Sequence, residues 1–128
     1  MDSLPIVSKD QNVNRWAKWI HFSLFVAYFV PLIGLTLPIV LWQNKKDRYP
    51  FIDVHGKIAA NWMINLLLYV TLFVIIMHNT GGARGTRGAI IFSCVILALV
   101  AIIYPIIGGI KASRGEVWEY PLSVKFFR

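Results

Sequence analysis

The stretch that decides the fold is the first apolar run, residues 20–42, with the sequence IHFSLFVAYFVPLIGLTLPIVLW. As one helix it would reach about 34 Å, enough to cross a hydrocarbon core of about 30 Å. Pro31, Gly34 and Pro38 interrupt it near its middle. Proline removes a backbone donor and disfavours helical geometry in the preceding residue, whereas glycine supplies the freedom that a turn needs. The segment is therefore either one kinked membrane span or a hairpin that turns at about residues 31–38 and leaves on the same side.

Two further apolar runs, residues 58–78 and 89–110, are each long enough to span a bilayer. Hydrophobic residues make up 57% of this chain of 128 residues, whereas soluble domains hold about 45–50%. A soluble domain this small cannot bury so much apolar surface. The sequence predicts a single all-α integral membrane domain, a small helical bundle with two regular transmembrane helices and the broken first segment.

The flanking segments complete this domain. Residues 1–9 are predicted to be a flexible tail, and residues 111–128 an interfacial C-terminal tail. Between the first tail and the broken segment, residues 10–19 are predicted to form a short amphipathic interfacial helix with Asp10 as its N-cap. The apolar face of that helix carries residues at helical spacing: Val13, Trp16, Ala17 and Ile20.

The 13 basic residues bear on the choice between the two topologies. Lys and Arg in short loops prefer the cytoplasmic side of a membrane. A kinked single span divides them five against eight, whereas a hairpin divides them eleven against two. The count favours the hairpin, in a protein of the bacterial cytoplasmic membrane whose basic loop and C-terminus are cytoplasmic.

Three groups of residues are candidate sites. Asn61 and Asn65, one helical turn apart, form a candidate polar seam lining a water-filled path, although interhelical hydrogen bonding is the simpler interpretation. The break itself, at Pro31, Gly34 and Pro38, is a second candidate. A candidate cytoplasmic docking surface consists of Lys45, Lys46, Arg48, Lys111 and Arg114.

The chain has a net charge of +7, and many of its basic residues lie next to apolar segments. We therefore expect the basic loops to contact anionic lipid headgroups rather than nucleic acid. A membrane-protein partner or a second copy of the chain is the other expected contact. No pattern of a nucleophile with its base, and no metal-binding spacing, occurs in the sequence. We therefore predict no catalytic residue, no metal and no cofactor, and a protein that is not an enzyme. His21 and His55 can meet near the cytoplasmic interface, where we interpret them as interfacial polar residues.

Several strings along residues 15–127 carry a resemblance. They are His21, PLIGLTLPIVLW at 31–42, KKDRYPFIDVHGK at 45–57, GIKASRGE at 109–116 and YPLSVKF at 120–126. In this combination the chain resembles a family of small bacterial membrane proteins of unknown function, grouped with the chloroplast import component Tic-twenty.

The resemblance implies no catalytic residues. Together with the basic surface, it suggests an accessory or scaffold subunit for protein translocation or for the assembly of a membrane complex. The alternative is an oligomeric protein that conducts lipid or solute, because interrupted helices line such paths in transporters.

Overall fold

A computed structural model describes residues 7–81 and 83–128. Most of the predicted tail at residues 1–9, namely residues 1–6, lies outside this part of the chain. The helical segments, in chain order, are α1 Gln11–Ser23, α2 Val26–Phe29, α3 Pro31–Gln43, α4 Pro50–Asn79 and α5 Arg84–Ser113. The described residues contain no strand, so the all-helical prediction is confirmed for them.

Helix α1 begins at the predicted cap. The Asp10 carboxylate accepts from the backbone N–H of Asn12 at 2.8 Å and of Val13 at 3.4 Å. The helix then runs on to Ser23, so the predicted interfacial helix and the start of the broken segment are one element. Its face of Val13, Ala17 and Ile20 is buried. The apolar side of α1 therefore packs against the rest of the protein and not against headgroups.

Residues 20–42 form two arms of a hairpin. The short turn of α2 leads to Val30, whose non-helical backbone (φ −134°, ψ 85°) lies where the chain reverses before α3. Near the open end, Lys45 Nζ lies 5.6 Å from the Trp16 ring centroid. Near the tip, a Cβ on Gly34 would lie 1.9 Å from the Ala27 backbone nitrogen. The two arms are therefore antiparallel, and only glycine permits their approach at this point.

The position of the turn differs from the prediction. The sequence places it between Pro31 and Pro38, whereas the chain turns before Pro31, and both prolines lie inside α3. Pro31 occupies the first helical position, where its missing N–H costs nothing and its fixed φ suits the helix. Pro38 lies inside the helix, where it deprives the Gly34 carbonyl of its intrahelical donor.

The long helices are longer than their apolar runs. Helices α4 and α5 have 30 residues each, or about 45 Å. Helix α4 starts at Pro50, again at the first helical position, after the extended residue Tyr49. Helix α5 starts at Arg84 and takes in two glycines, Gly85 and Gly88, that precede its apolar run. Both helices are long and apolar enough to cross a membrane, by length and composition.

Only one end of the long helices is covered. The buried residues of α4 lie between Phe51 and Asn65, and those of α5 between Ala101 and Ala112. There α1 packs closely on α5: a Cβ added to Gly109 of α5 would lie only 2.5 Å from the Phe22 ring of α1. Beyond this packed end, large apolar side chains of α4 and α5 face outward.

The hairpin reaches the middle of the apolar run of α5. The Tyr28 hydroxyl donates to the Ala101 carbonyl at 2.7 Å. Pro105, one turn further on, has no N–H with which to serve that carbonyl. Tyr28 therefore supplies the hydrogen bond that proline removes, and it fixes how deep the hairpin extends along α5.

Candidate functional site

A chain of three polar side chains lies inside the packed end. His21 Nδ1 and the Tyr120 hydroxyl are 2.6 Å apart, and His21 Nε2 and His55 Nδ1 are 2.7 Å apart. Both imidazoles are fully buried. The two histidines that the sequence allows to meet are thus in contact, but they lie in the core and not at an exposed interface.

The hydrogen bonds run in one of two directions. In the first, the Tyr120 hydroxyl donates to His21 Nδ1, and His21 Nε2–H donates to His55 Nδ1. In the second, His55 Nδ1–H donates to His21 Nε2, His21 Nδ1–H donates to Tyr120, and the tyrosine proton needs a further acceptor. His55 Nε2 has no hydrogen-bond partner among the described residues. The first direction leaves only that atom unpaired, so it satisfies more buried polar groups.

Tyr120 reaches His21 because the chain after α5 folds back over the helices. Its ring packs edge-on against those of Trp62 and Tyr104, with centroids 5.6 Å away in each case. A Cβ on Gly108 would lie 2.8 Å from the Tyr120 ring and 2.9 Å from His21 Nδ1. Burial raises the pKa of the Tyr120 hydroxyl well above its ordinary value. The group therefore stays protonated and able to donate at neutral pH.

Both ring nitrogens of His21 face a protein partner. His21 and His55 therefore do not offer two free ring nitrogens to a common metal ion. No group of three or more His, Cys, Asp or Glu side chains that could hold a metal ion occurs within residues 7–81 and 83–128. The cluster is a hydrogen-bonded link between α1, α4 and the C-terminal tail. It can hold the three elements in register.

The two asparagines bind the C-terminal tail. Asn65 Nδ2 donates to the Val124 carbonyl at 3.0 Å, and the Val124 N–H donates back to Asn65 Oδ1 at 3.1 Å. Asn61 makes the same reciprocal pair with the Phe127 backbone, at 3.0 and 2.8 Å. Its oxygen also accepts from the Phe126 N–H at 2.9 Å. Each amide therefore pairs with the tail as a neighbouring strand would.

We call this arrangement the asparagine clamp, formed by Asn61, Asn65 and the backbone of residues 124–127. The sequence places both asparagines on one face of a helix, and they do share one. Their partners are groups of the tail, namely its backbone and the Ser123 hydroxyl, and not side chains of another helix. The predicted polar seam is thus occupied by the protein's own tail, while Asn61 also borders a surface cleft.

The predicted docking residues lie at the packed end. Lys46 Nζ lies 5.7 Å from the Trp42 ring centroid, and Arg48 lies 5.5 Å from that of Tyr49. Lys111 pairs with Glu116 at 2.6 Å, which holds the pKa of the Glu116 carboxyl below its usual value. Arg114 caps the end of α5. Lys46 and Arg48 therefore lie near aromatic rings and Lys111 on a local carboxylate, and the docking role of the whole set stays a prediction.

The broken-helix residues have structural roles in the hairpin. Pro31 starts α3, Gly34 allows the arms to touch, and Pro38 is fully buried within α3. The hairpin tip instead exposes large apolar side chains, with Phe29 85% and Leu32 77% exposed. Of the described residues, it is these tip side chains that meet the surroundings at the break.

Sequence reasoning missed two residues of these sites. Tyr120 enters the sequence argument only within the YPLSVKF string, and Tyr28 only within the first apolar run. A signal for Tyr28 exists, since Pro105 leaves one carbonyl on α5 in need of a donor. For Tyr120 no spacing rule exists, because the tail that carries it is irregular.

Residues 12–127 match the MamF/MmsF family, described as the magnetosome magnetite crystal formation protein family. The inferred resemblance to the family grouped with Tic-twenty is therefore wrong. No curated protein and no solved structure matches the chain.

Proposed function

The chain belongs to the magnetosome magnetite crystal formation protein family, and from this premise we propose that it is an integral protein of the magnetosome membrane that contributes to magnetite crystal formation. We propose further that it acts as a structural subunit in the assembly of a membrane complex and not as an enzyme. This replaces the expectation of a general cytoplasmic-membrane protein involved in translocation.

One observation carries the membrane insertion. The most apolar stretch of α5 is only 11% buried, and that of α4 only 28%. Large apolar side chains face outward on both helices and at the hairpin tip. An uncovered apolar surface of this extent marks contact with lipid or with another protein. Its length on α4 and α5 supports a bilayer as the surrounding medium.

The hairpin gives the proposal an orientation. The N-terminal segment, the loop after α3 and the C-terminal tail meet at the packed end, where the Ser8 N–H donates to the Gly115 carbonyl at 3.0 Å. Eleven of the 13 basic residues then lie on that side and Arg84 and Arg87 on the other. By the positive-inside rule, this distribution favours a cytoplasmic location of the packed end. The turn between α4 and α5 then faces the magnetosome lumen.

The structural role is supported by the partners of the buried polar side chains. The buried histidines and the asparagine clamp pair with the protein's own groups, so they fix one conformation. The outward apolar faces of α4 and α5 remain available to a membrane-protein partner or a second copy. The basic residues of the packed end are available to anionic headgroups.

The proposal is tested with a tagged full-length chain in a magnetite-forming host. We expect the chain in isolated magnetosome membranes, retained after alkaline carbonate washing and released only by detergent. Its deletion should alter the size or number of the crystals. Release by carbonate, or absence from the magnetosome fraction, would contradict the proposal.

The alternative, an oligomeric conductor of lipid or solute, predicts a separate result. Purified chain in liposomes would then raise solute flux or lipid exchange above that of empty liposomes. We expect background flux, because the hairpin tip exposes only apolar and aromatic side chains between Tyr28 and Ile33.

A further inference from the structure

A second polar feature of the packed end is a surface cleft between the first half of α4 and the C-terminal tail. Its volume is about 550 Å³, within the range of small-ligand sites. Its lining carries cationic Lys57, Lys125 and Arg128, and a single carboxylate, Glu119. The lining side chains therefore hold a formal net charge of +2, or +1 when Asp53, which pairs with Lys57, is included.

The cations of this cleft are held in place. Lys57 Nζ lies 2.7 Å from Asp53 Oδ2, one helical turn earlier, and Lys125 Nζ lies 2.5 Å from Glu119 Oε2. The clamp fixes the tail that carries Lys125 and Arg128, because Asn61 binds Phe127 in the same lining. Cations presented by a fixed backbone bind an anion with less loss of entropy than cations on a free tail.

The place of the cleft in the fold selects the anion. The lining spans the point where α4 passes from its charged first turns to its apolar run, and it includes Ile58 as well as Lys57. In the proposed orientation this is the headgroup level of the cytoplasmic leaflet. Lys and Arg there attract anionic lipids and bind phosphate oxygens through charge-assisted hydrogen bonds.

We propose that this cleft binds the phosphate group of an anionic phospholipid, held by Lys57, Lys125 and Arg128, with its acyl chains continuing into the lipid around α4. The inference rests on the proposed membrane insertion, and it defines a site distinct from the basic loop at 45–48. Glu119 opposes the ligand, because its carboxylate competes for Lys125.

The test uses the full chain in nanodiscs that contain phosphatidylglycerol in a phosphatidylcholine background, with lipid retention measured by native mass spectrometry. The triple variant Lys57→Gln, Lys125→Gln, Arg128→Gln should lose retained phosphatidylglycerol at least about fivefold, because the phosphate loses all three of its cationic partners. The control Lys45→Gln, Lys46→Gln, Arg48→Gln removes the same charge outside the cleft. It lowers only the general attraction of the surface for anionic lipid and leaves the cleft intact, so it should reduce retention clearly less than the triple variant does. Equal losses in both variants would overturn the site.

The variant Glu119→Gln is a second test, in which lipid retention is expected to rise and not to fall. Removing the competing carboxylate should raise retention of phosphatidylglycerol, whereas a merely structural Lys125–Glu119 pair would leave it unchanged or lower it. This variant removes no cation, so it keeps the test decisive if the triple variant does not fold.

Two further measurements distinguish a lipid phosphate from free phosphate, and failure of the lipid site from failure of membrane insertion. Inorganic phosphate at matched ionic strength should not displace the lipid, and displacement would show that the ligand is a free anion. A chain that inserts into nanodiscs without selecting phosphatidylglycerol overturns this inference alone. A chain that fails to insert overturns the proposed function and this inference with it.

Discussion

His21 is the residue on which the buried cluster depends, because both of its ring nitrogens are engaged. It joins Tyr120 of the tail to His55 of α4 through contacts of 2.6 and 2.7 Å. A buried polar group that loses its partner costs about 1–3 kcal/mol. The main effect of His21 on stability is therefore that it keeps the buried Tyr120 hydroxyl and His55 Nδ1 hydrogen-bonded.

We expect His21→Leu to lower the free energy of unfolding by about 2–4 kcal/mol, because it leaves two buried groups without a partner. Unfolding of the purified chain in mixed micelles, followed by circular dichroism, measures this change. The matched control is His78→Leu at the exposed far end of α4, which should change stability by less than about 0.5 kcal/mol. Equal effects of the two substitutions would contradict the role of the cluster.

At the scale of elements, two contacts determine how the segments fit together. Tyr28 ties the hairpin to α5, and the asparagine clamp ties the tail to α4. Both contacts give a hydrogen-bond partner to backbone groups that have none within a helix, namely the Ala101 carbonyl and the backbone of the tail. An unsatisfied backbone group is especially costly where no water can reach it.

The hairpin contact predicts a coupling between two substitutions. Tyr28→Phe alone should cost about 1 kcal/mol, because the Ala101 carbonyl loses its donor. In a Pro105→Ala background, the alanine N–H serves that carbonyl, so Tyr28→Phe should cost almost nothing. A double-mutant cycle of unfolding free energies measures the difference. Additive effects would show that the hydroxyl does not replace the missing helix bond.

The clamp predicts a graded release of the tail. Asn65→Leu removes every hydrogen bond to Val124, whereas Asn65→Asp keeps an acceptor for the Val124 N–H and loses the donor. Cleavage by trypsin at Lys125 should therefore be fastest in the leucine variant and intermediate in the aspartate variant. Asn79→Leu, at the distal end of α4, is the control and should leave the rate unchanged. Identical rates in all variants would contradict the clamp.

How far the sequence predicts these elements depends on the range of each contact. Helical spacing puts Asn61 and Asn65 on one face, and the Asp10 cap is a local pattern, so both are predictable. The tail that Asn61 and Asn65 bind is not, because an irregular segment has no period from which its partner follows. The sequence places the turn too late in the chain, because Pro31 is expected to break a helix, whereas proline at the first helical position starts one.

At the scale of the whole molecule, the chain has one polar, packed end and one apolar, uncovered end. All the buried polar side chains of the described residues, from Asn14 to Asn65, belong to the packed end. The hairpin makes this possible, because it returns the chain to the side from which it came. In the proposed membrane arrangement the two long helices cross the bilayer, whereas the hairpin enters it only to about the middle of α5.

Accessibility labelling of single cysteines tests this topology most directly. Cysteine placed at Val7, Asn44 or Thr86, with Cys94 replaced by alanine, is treated in oriented membrane vesicles with an impermeant maleimide. The account predicts that positions 7 and 44 react from the same, cytoplasmic face, and that position 86 reacts only after the vesicles are opened. Labelling of positions 7 and 44 from opposite faces would contradict the hairpin and replace it with a single kinked span.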